Sequence, residues 1–384
     1  MDERNVIYLD NAATSFPKPY AVSDAVKRFM LYCGGNAGRG GYRSSLEAAE
    51  IVFSCREKIT ELFENNDPEL TFFTMNTTQG INLCIKGILR KGDHILISDL
   101  EHNSVYRPIY KLFKRGYIQY DVFTTIRNGR RLDDDEILKN IAQKVRKNTT
   151  MLFCTGASNI CSVRLPLEKI GGLCREKGIT FAVDGAQAAG HFDISMKKMN
   201  IDVLCVPGHK GLLGPQGCGA VLLADGVKMQ TLFEGGNGVD SLTGEMSEES
   251  PERYEAGTLP IPAIAGLGEG IDVLRGIGIS AVEKHASDLF SYAKQKFEKI
   301  DGIRVFAPDC EGAVMLFSFR DLDSEEVAKY LDSCGICARG GYHCAAIAHR
   351  TLETMERGGV RISYGIFNSE RHIDSLCEAL KNYK

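Results

Sequence analysis

The segment ARGGYHCAAIAH, residues 338–349, sets Cys344 behind a histidine and two glycines. A Gly-Gly pair makes a turn that few side chains can follow, and an apolar Ala-Ala-Ile run comes straight after the thiol. Three chemistries suit such a cysteine: a buried structural thiol, a metal ligand helped by Cys334 and Cys337, or a nucleophile. A second reactive type stands in GHKGLLGPQG, residues 208–217, where Lys210 lies among glycines. Lysine amines titrate near about 10.4 and attack poorly at neutral pH, so one held beside a sheet is a candidate for Schiff-base chemistry. Asp184 ends the apolar run ITFAVD, where a bare charge is costly without a cationic partner. His102 follows HILISDLE, and Thr77 with Thr78 follows LTFFTMN at the start of a helix. Free N–H groups, hydroxyls and the positive helix end suit a phosphate there, although plain N-capping explains the threonines as well.

The elements that must position these groups lie in residues 45–225. LTFFT precedes QGINLCIKGILRKG, HILIS precedes VYRPIYKLFKRG, and TMLFCT precedes PLEKIGGLCREKG, with ITFAVD and IDVLCV following. Such alternation marks βα units and a mainly parallel sheet covered on both faces. Ligands of such a sheet sit beyond the C-terminal ends of its strands, where Thr77, Thr78, His102, Asp184 and Lys210 all fall. Residues 226–262, rich in Gly, Ser and Glu, read as an irregular excursion. After it, IPAIAGLGEGIDVLRGIG, AVMLFSF and GVRISYG supply the helices and strands of a second unit.

Composition narrows the function classes. With 384 residues, 43% hydrophobic and 25% charged, the chain can bury a large core and build one large domain plus a smaller one. A net charge of −4 and only short cationic runs, KLFKR and RNGRR, argue against nucleic acid. The absence of a long apolar run and the charged start MDERNVIYLDN argue against a membrane span or a signal peptide, and the cytoplasm is the expected location. Thirteen cysteines, an odd number spread along the chain, do not suit a disulfide framework. CGIC at 334–337 has no second C-x-x-C, and SEEVAKYLDSCG reads as a helix ending at Gly335, which puts Cys334 at the helix end and weakens a zinc reading.

Together, Lys210, Asp184, Thr77 with Thr78, and His102 describe one cofactor. Pyridoxal 5'-phosphate requires a lysine, an acid against its pyridinium nitrogen, an anion site and a flat group over its ring. The segments YLDNAATSFPKP (8–19), EHNSV (101–105), VDGAQAAGH (183–191), GHKGLLGPQG (208–217), RYEAGT (253–258), RGGYHCA (339–345) and VRISYGIFNSERHID (360–374) resemble the class V aminotransferase family, in particular its cysteine desulfurases. The resemblance runs nearly end to end. It implies an α/β protein of the pyridoxal-phosphate-dependent transferase fold type I, with a mainly parallel sheet flanked by helices and a smaller α+β C-terminal domain. The expected division is a large cofactor-binding domain at 18–264 and a small domain formed by 1–17 and 265–384.

Residue by residue, the resemblance makes Lys210 the cofactor-bearing lysine, with His209 before it. Asp184 pairs with the pyridinium nitrogen, Gln187 bonds the ring oxygen and His102 stacks on the ring. Thr78 holds phosphate, and Thr258 reaches the phosphate of the other subunit in a homodimer with shared active sites. Asn159 lies near the substrate amine, Arg361 grips the substrate carboxylate through its planar fork, and Arg339 assists. No metal is implied. The chain departs from the family pattern at Pro207, where Ser or Thr is usual, at GRGGY (38–42), which keeps Arg39 but lacks the usual histidines, and at Tyr342 beside the cysteine.

The implied reaction takes sulfur from L-cysteine. Cys344 thiolate attacks the substrate sulfur to give a persulfide, Lys210 is the base, His102 is a candidate proton donor, and the carbon skeleton leaves as L-alanine. A thiol with a pKa near about 8.5 needs help to ionise, and Arg339 and a charged His343 are the expected helpers. The Gly340–Gly341 pair reads as a hinge that lets the thiol deliver sulfur to an acceptor protein or thiol. Arg361 lies 17 positions after Cys344, a short spacing that resembles the SUF-type branch. Selenocysteine lyase, another pyridoxal-phosphate lyase or aminotransferase, and a non-catalytic scaffold are the alternatives.

Overall fold

The predominantly apolar runs become strands buried on both faces. In the computed structural model, which describes residues 6–383 apart from Arg39, Asp240 and Ser241, chain order gives β1 (Ile7–Tyr8), β2 (Thr71–Thr74), β3 (His94–Ser98), β4 (Gln119–Phe123) and the small hairpin β5 (Ile126–Arg127) and β6 (Arg130–Arg131). The strands β7 (Thr149–Thr155), β8 (Thr180–Asp184), β9 (Val203–Pro207) and β10 (Gly219–Leu223) complete the large sheet. Its seven strands lie in the order β2-β10-β9-β8-β7-β3-β4. All run the same way except β10, which is antiparallel to β2 and β9. This is the expected mainly parallel sheet, with one reversed strand inserted near its edge.

Helices α1 (Tyr20–Arg28), α2 (Arg43–Leu62), α3 (Thr77–Ile88), α4 (Asn103–Lys114), α5 (Asp134–Lys144), α6 (Leu167–Lys177) and α7 (Ile261–Ile277) accompany the large sheet. Two hydrophobic clusters occupy its two faces because alternate strand residues point opposite ways. Leu96, Leu152, Val183 and Leu204 enter one, while Ile95, Met151, Ala182 and Val203 enter the other. No helix or strand occurs among the described residues of 226–260, so the irregular reading of that stretch holds.

The second unit contains α8 (Ile279–Phe297), α9 (Ser324–Ser333), α10 (Ala346–Thr351) and α11 (Glu370–Lys381), with β11 (Ile303–Phe306), β12 (Val314–Phe319) and β14 (Val360–Ser363) forming an antiparallel sheet in the order β11-β12-β14. β1 pairs in parallel with β13 (Ile336–Cys337), and Leu9 packs in the same cluster as Phe317, Ile362 and Leu376. The start of the chain therefore packs with the C-terminal unit. The expected division between residues 264 and 265 falls inside α7, a continuous helix whose Ile264, Leu267, Ile271 and Leu274 are buried in the cluster of the large sheet. Cys334 caps α9 and Cys337 ends β13, as the reading of CGIC had it. None of the described helices is long and apolar enough to cross a membrane.

A backbone contact sets the level of the lysine loop against the end of β8. Gly190 has φ +78°, and a Cβ there would lie 2.3 Å from the Gly211 carbonyl oxygen. A Cβ on Gly211 would in turn lie 2.2 Å from the Ala189 carbonyl oxygen, so only glycine on both sides permits the approach. Gly190→Ala is expected to destabilise the fold by about 1–3 kcal/mol or more, read as a lower midpoint in equilibrium urea unfolding with an unchanged slope.

Candidate active site

The ends of β8 and β9 bring Asp184 and Lys210 together. β9 ends at Pro207 and the chain passes through Gly208 and His209 to the lysine. The N-terminal segment clasps this turn: the His209 carbonyl accepts the Ser15 N–H at 3.0 Å, the Thr14 hydroxyl at 3.0 Å and Lys18 Nζ at 2.9 Å. Burial lowers the Lys210 pKa to about 8, with Asp184 opposing the shift and Arg361 adding to it. Asp184, the last residue of β8, is 2% exposed and takes the Ala186 N–H on Oδ1 at 2.9 Å. Burial pushes its carboxyl pKa up, while the Ala186 N–H and the Lys210 charge pull the other way. Gln187 is buried and donates Nε2 to the Ala12 carbonyl at 2.9 Å.

His102 ends the β3 loop and caps α4, accepting the Ser104 N–H on Nδ1 at 3.1 Å. Ser104 Oγ lies 2.8 Å from the same nitrogen and 2.7 Å from Thr78 Oγ1, which links His102 to the start of α3. The cap of α3 is Asn76, whose Oδ1 accepts the Gln79 N–H at 2.9 Å, so capping does not occupy Thr77 and Thr78. Thr77 Oγ1 is buried with no partner among the described residues. Burial, followed by the charges of Lys210, Arg361 and Arg339, lowers the His102 pKa to about 4. The ring is neutral, and with Nδ1 accepting, its proton sits on Nε2; an acid role for His102 has to start from that neutral ring.

Arg361 is 1% exposed. Its Nη2 donates to Asp10 Oδ1 at 2.6 Å, its Nη1 to the Asn159 carbonyl at 3.0 Å, and its Nε has no partner among the described residues. Asp10 is the residue that the sequence reading passed over: it stands in YLDNAATS, next to strand β1, and the signal was a lone acid beside a buried segment. Arg339 is exposed and pairs its backbone with Arg361, N–H to carbonyl at 3.1 Å and 2.8 Å in the two directions.

Cys344 reaches this cluster through two carbonyls. Asn159 Nδ2 donates to the His343 carbonyl at 2.9 Å, and the Asn103 N–H donates to the Cys344 carbonyl at 2.7 Å. Asn159 Oδ1 is left buried without a partner among the described residues. Cys344 itself is exposed, which removes the reading of a buried structural thiol.

Two expectations about this loop are corrected. The Gly-Gly pair is packed rather than free to hinge: a Cβ on Gly340 would lie 2.3 Å from the Ser324 carbonyl oxygen, and Gly341, at φ +97°, donates its N–H to Ser324 Oγ at 3.0 Å. His343 does not supply positive charge to the thiol. It is 3% exposed, and burial and Arg361 lower its pKa to about 3, so the imidazole is neutral. Of the remaining expected residues, His209 is held neutral by burial, with a pKa near 4, and Thr258 is exposed on the segment before α7. Glu255 anchors that segment, pairing with Arg56 at 2.8 Å and accepting the Phe73 N–H at 2.6 Å. Pro207 closes β9 opposite Gly219, and Arg39 lies outside the described residues.

Residues 7–376 match the class V aminotransferase family, and the chain belongs to that family of pyridoxal-phosphate enzymes. A probable cysteine desulfurase of Methanothermobacter thermautotrophicus is 32% identical over 98% of this chain and 94% of its own length. Another, from Halalkalibacterium halodurans, is 30% identical over 99% and 93% respectively. Among solved structures, a cysteine desulfurase of Thermococcus onnurineus superposes with a TM-score of 0.88 at 27% identity, covering 98% of this chain and 94% of that one. A NifS-like protein with a TM-score of 0.84 at 21% identity, covering 98% of each chain, has the same fold. The fold type I reading is thereby borne out.

The position of the Lys210 pKa gives a pH test. An ordinary lysine titrates near 10.5, so between about 8 and 10.5 the unfolded chain holds the Lys210 proton and the folded chain does not. Folding stability contributed by this group therefore rises with pH across that window. In cofactor-free protein, acylation of Lys210 followed by peptide mass spectrometry is expected to show a midpoint near 8, with the exposed lysines rising at higher pH.

Proposed function

We propose that this chain is a pyridoxal 5'-phosphate-dependent cysteine desulfurase that moves sulfur from L-cysteine to Cys344 and releases L-alanine. The observation that carries this reading is an exposed cysteine whose carbonyl bonds the N–H of Asn103, the residue after His102, at the mouth of a site containing Lys210, Asp184 and Arg361. The donor set fits the cofactor. Asp184 is a buried carboxylate that gains from a cationic ring nitrogen, Thr77 Oγ1 and Asn159 Oδ1 are buried polar atoms without partners among the described residues, and Lys210 carries an amine of lowered pKa. In this reading Lys210 would anchor the group, Asp184, Gln187 and His102 would hold its ring, and Thr77 and Thr78 would take the phosphate with Thr258 of the second subunit.

When bound, the cofactor supplies an electron sink conjugated to the substrate α-carbon. Arg361 orients the substrate carboxylate through its unpaired Nε edge, beside Asp10 and with Arg339 at the rim. Lys210 Nζ accepts the α-proton. Cys344 Sγ then forms a bond to the substrate sulfur as the substrate carbon–sulfur bond breaks, and its electron pair stays with the carbon that becomes the methyl group of alanine. The neutral His102 ring, with its proton on Nε2, is the candidate proton donor. An acceptor protein or thiol removes the sulfur from Cys344, and the cytoplasm is the setting in which we place the reaction.

Apolar residues left exposed on α1, the π-turn after it and α2 support a homodimer. Tyr20 is 82% exposed and Tyr32 80%, and Met30, Leu31, Leu46 and Phe53 are exposed with them beside a groove of about 830 Å³. Exposed apolar residues gathered on one face mark association surfaces. Light scattering is expected to give a dimer for the native chain and a monomer for the double variant Tyr20→Glu, Tyr32→Glu.

The reaction is tested by incubating the holoenzyme with L-cysteine or L-selenocysteine, with and without a thiol reductant, and measuring alanine and persulfide on Cys344. Cys344→Ser is expected to lose cysteine turnover by about 10²-fold or more while keeping selenocysteine cleavage, because selenium leaves without help from the thiol. Full retention of cysteine turnover by the variant removes the persulfide step.

A further inference from the structure

His343 and Cys344 stand consecutively in the left-handed region, at φ +50° and +55°. Neither residue type favours that conformation, so the surroundings must impose it. Four side chains do so. His343 Nε2 lies 2.9 Å from the Arg339 carbonyl, which can only accept, so the proton is on Nε2 and Nδ1 is an acceptor. His349 Nε2 lies 3.2 Å from that Nδ1 and is its donor. His349 Nδ1 then accepts the Thr354 hydroxyl at 2.6 Å. The chain of donors runs one way, from Thr354 through His349 and His343 to the backbone of Arg339. The two imidazole planes lie within 14° of each other with centroids 5.5 Å apart, the arrangement of rings joined edge to edge by the N–H···N bond, and Tyr342 lies edge-on to His349 at 5.5 Å while its hydroxyl donates to the Met355 carbonyl at 3.0 Å. His343, His349 and Thr354 are 3%, 0% and 5% exposed. Tyr342, the unusual neighbour of the cysteine, covers this hydrogen-bonded pair on the His349 side.

We propose that His349 and Thr354, acting through His343 and covered by Tyr342, are positioning residues for Cys344 that fix its left-handed turn against the Lys210 site. The proposal rests on the reading of Cys344 as the sulfur-accepting nucleophile. The consequence for the reaction is specific. Substrate is held by Arg361 and the cofactor site, whereas the brace acts on the attacking thiol alone, so loosening it slows sulfur transfer without weakening substrate binding. Glutamine at 349 can keep the donor to His343 because its Nε2 matches the reach of the imidazole Nε2, whereas alanine cannot.

The experiment uses the holoenzyme and two readouts. Amide hydrogen exchange at Ala345, whose N–H donates to the Tyr342 carbonyl at 2.9 Å, reports loop order without reference to catalysis. Single-turnover persulfide formation on Cys344 and the KM for L-cysteine report positioning. His349→Ala is expected to speed exchange at Ala345 and slow persulfide formation by about 10²-fold, the cost of a misplacement near 1 Å, with KM within about twofold and with His349→Gln restoring most of both. Thr354→Val, which removes only the hydroxyl, is expected to move both readouts in the same direction by less, and serves if the alanine variant does not fold. Unchanged exchange in both variants, or a raised KM with an unchanged rate of persulfide formation, overturns the proposal. Absence of any persulfide on Cys344 in the native enzyme overturns the desulfurase reading instead, and the exchange readout then still decides whether the brace orders the loop.

Discussion

A guanidinium with 1% of its surface exposed is the constraint around which the site is arranged. Arg361 cannot be buried alone, because an unpaired charge in the interior costs several kcal/mol. Its partners come from different parts of the chain: Asp10 from the N-terminal segment and the Asn159 carbonyl from the loop after β7. Burying one charge thus brings together the start of the chain, the large sheet and the C-terminal unit. The backbone of the same residue pairs with Arg339, which leads within five positions to Cys344. In the proposed reaction, the group that would hold the substrate carboxylate and the segment that carries the thiol are therefore mechanically joined.

The electrostatic character of the pocket follows from burial. His102, His191, His209 and His343 all have lowered pKa values with desolvation as the leading cause, so each is neutral near pH 7. Positive charge near these rings comes instead from Arg361, Arg339, Arg107, Arg164, Lys18 and, below about pH 8, Lys210. That distribution favours an anionic ligand while leaving imidazole nitrogens free to act as directed hydrogen-bonding groups. Asp184 is the counterweight at the floor, and Glu101, 0% exposed with its pKa pushed up to about 8, is held by Ser98 and the Thr155 N–H beneath His102.

Much of this was legible in the sequence because the relevant signals are local. Strand runs such as HILIS and VLCVP have continuous apolar centres, and the place where each stops marks a strand end, so His102, Asp184 and Lys210 could be put at one end of a sheet. β4 escaped the pattern because QYDVF is a half-exposed edge strand, and β10 because it follows a glycine-rich loop with no helix between. Asp10 was hidden because its partner stands 351 positions away. The state of His343 was misjudged for a related reason: charge depends on burial, and burial there comes from His349 and the turn reaching Thr354. Spacing reports which residues are neighbours along the chain; it does not report which of them lose water.

The reversed strand β10 has a bearing on how the lysine works. In an all-parallel sheet the link after β9 would leave through a helix and return at the opposite edge. Here residues 208–218 turn directly back into β10, so the link is fastened at both ends to paired strands. Lys210 is consequently a flexible tether on a rigid post. In the proposed reaction, the amine would therefore change covalent partners by rotation about the lysine side-chain bonds rather than by movement of the backbone.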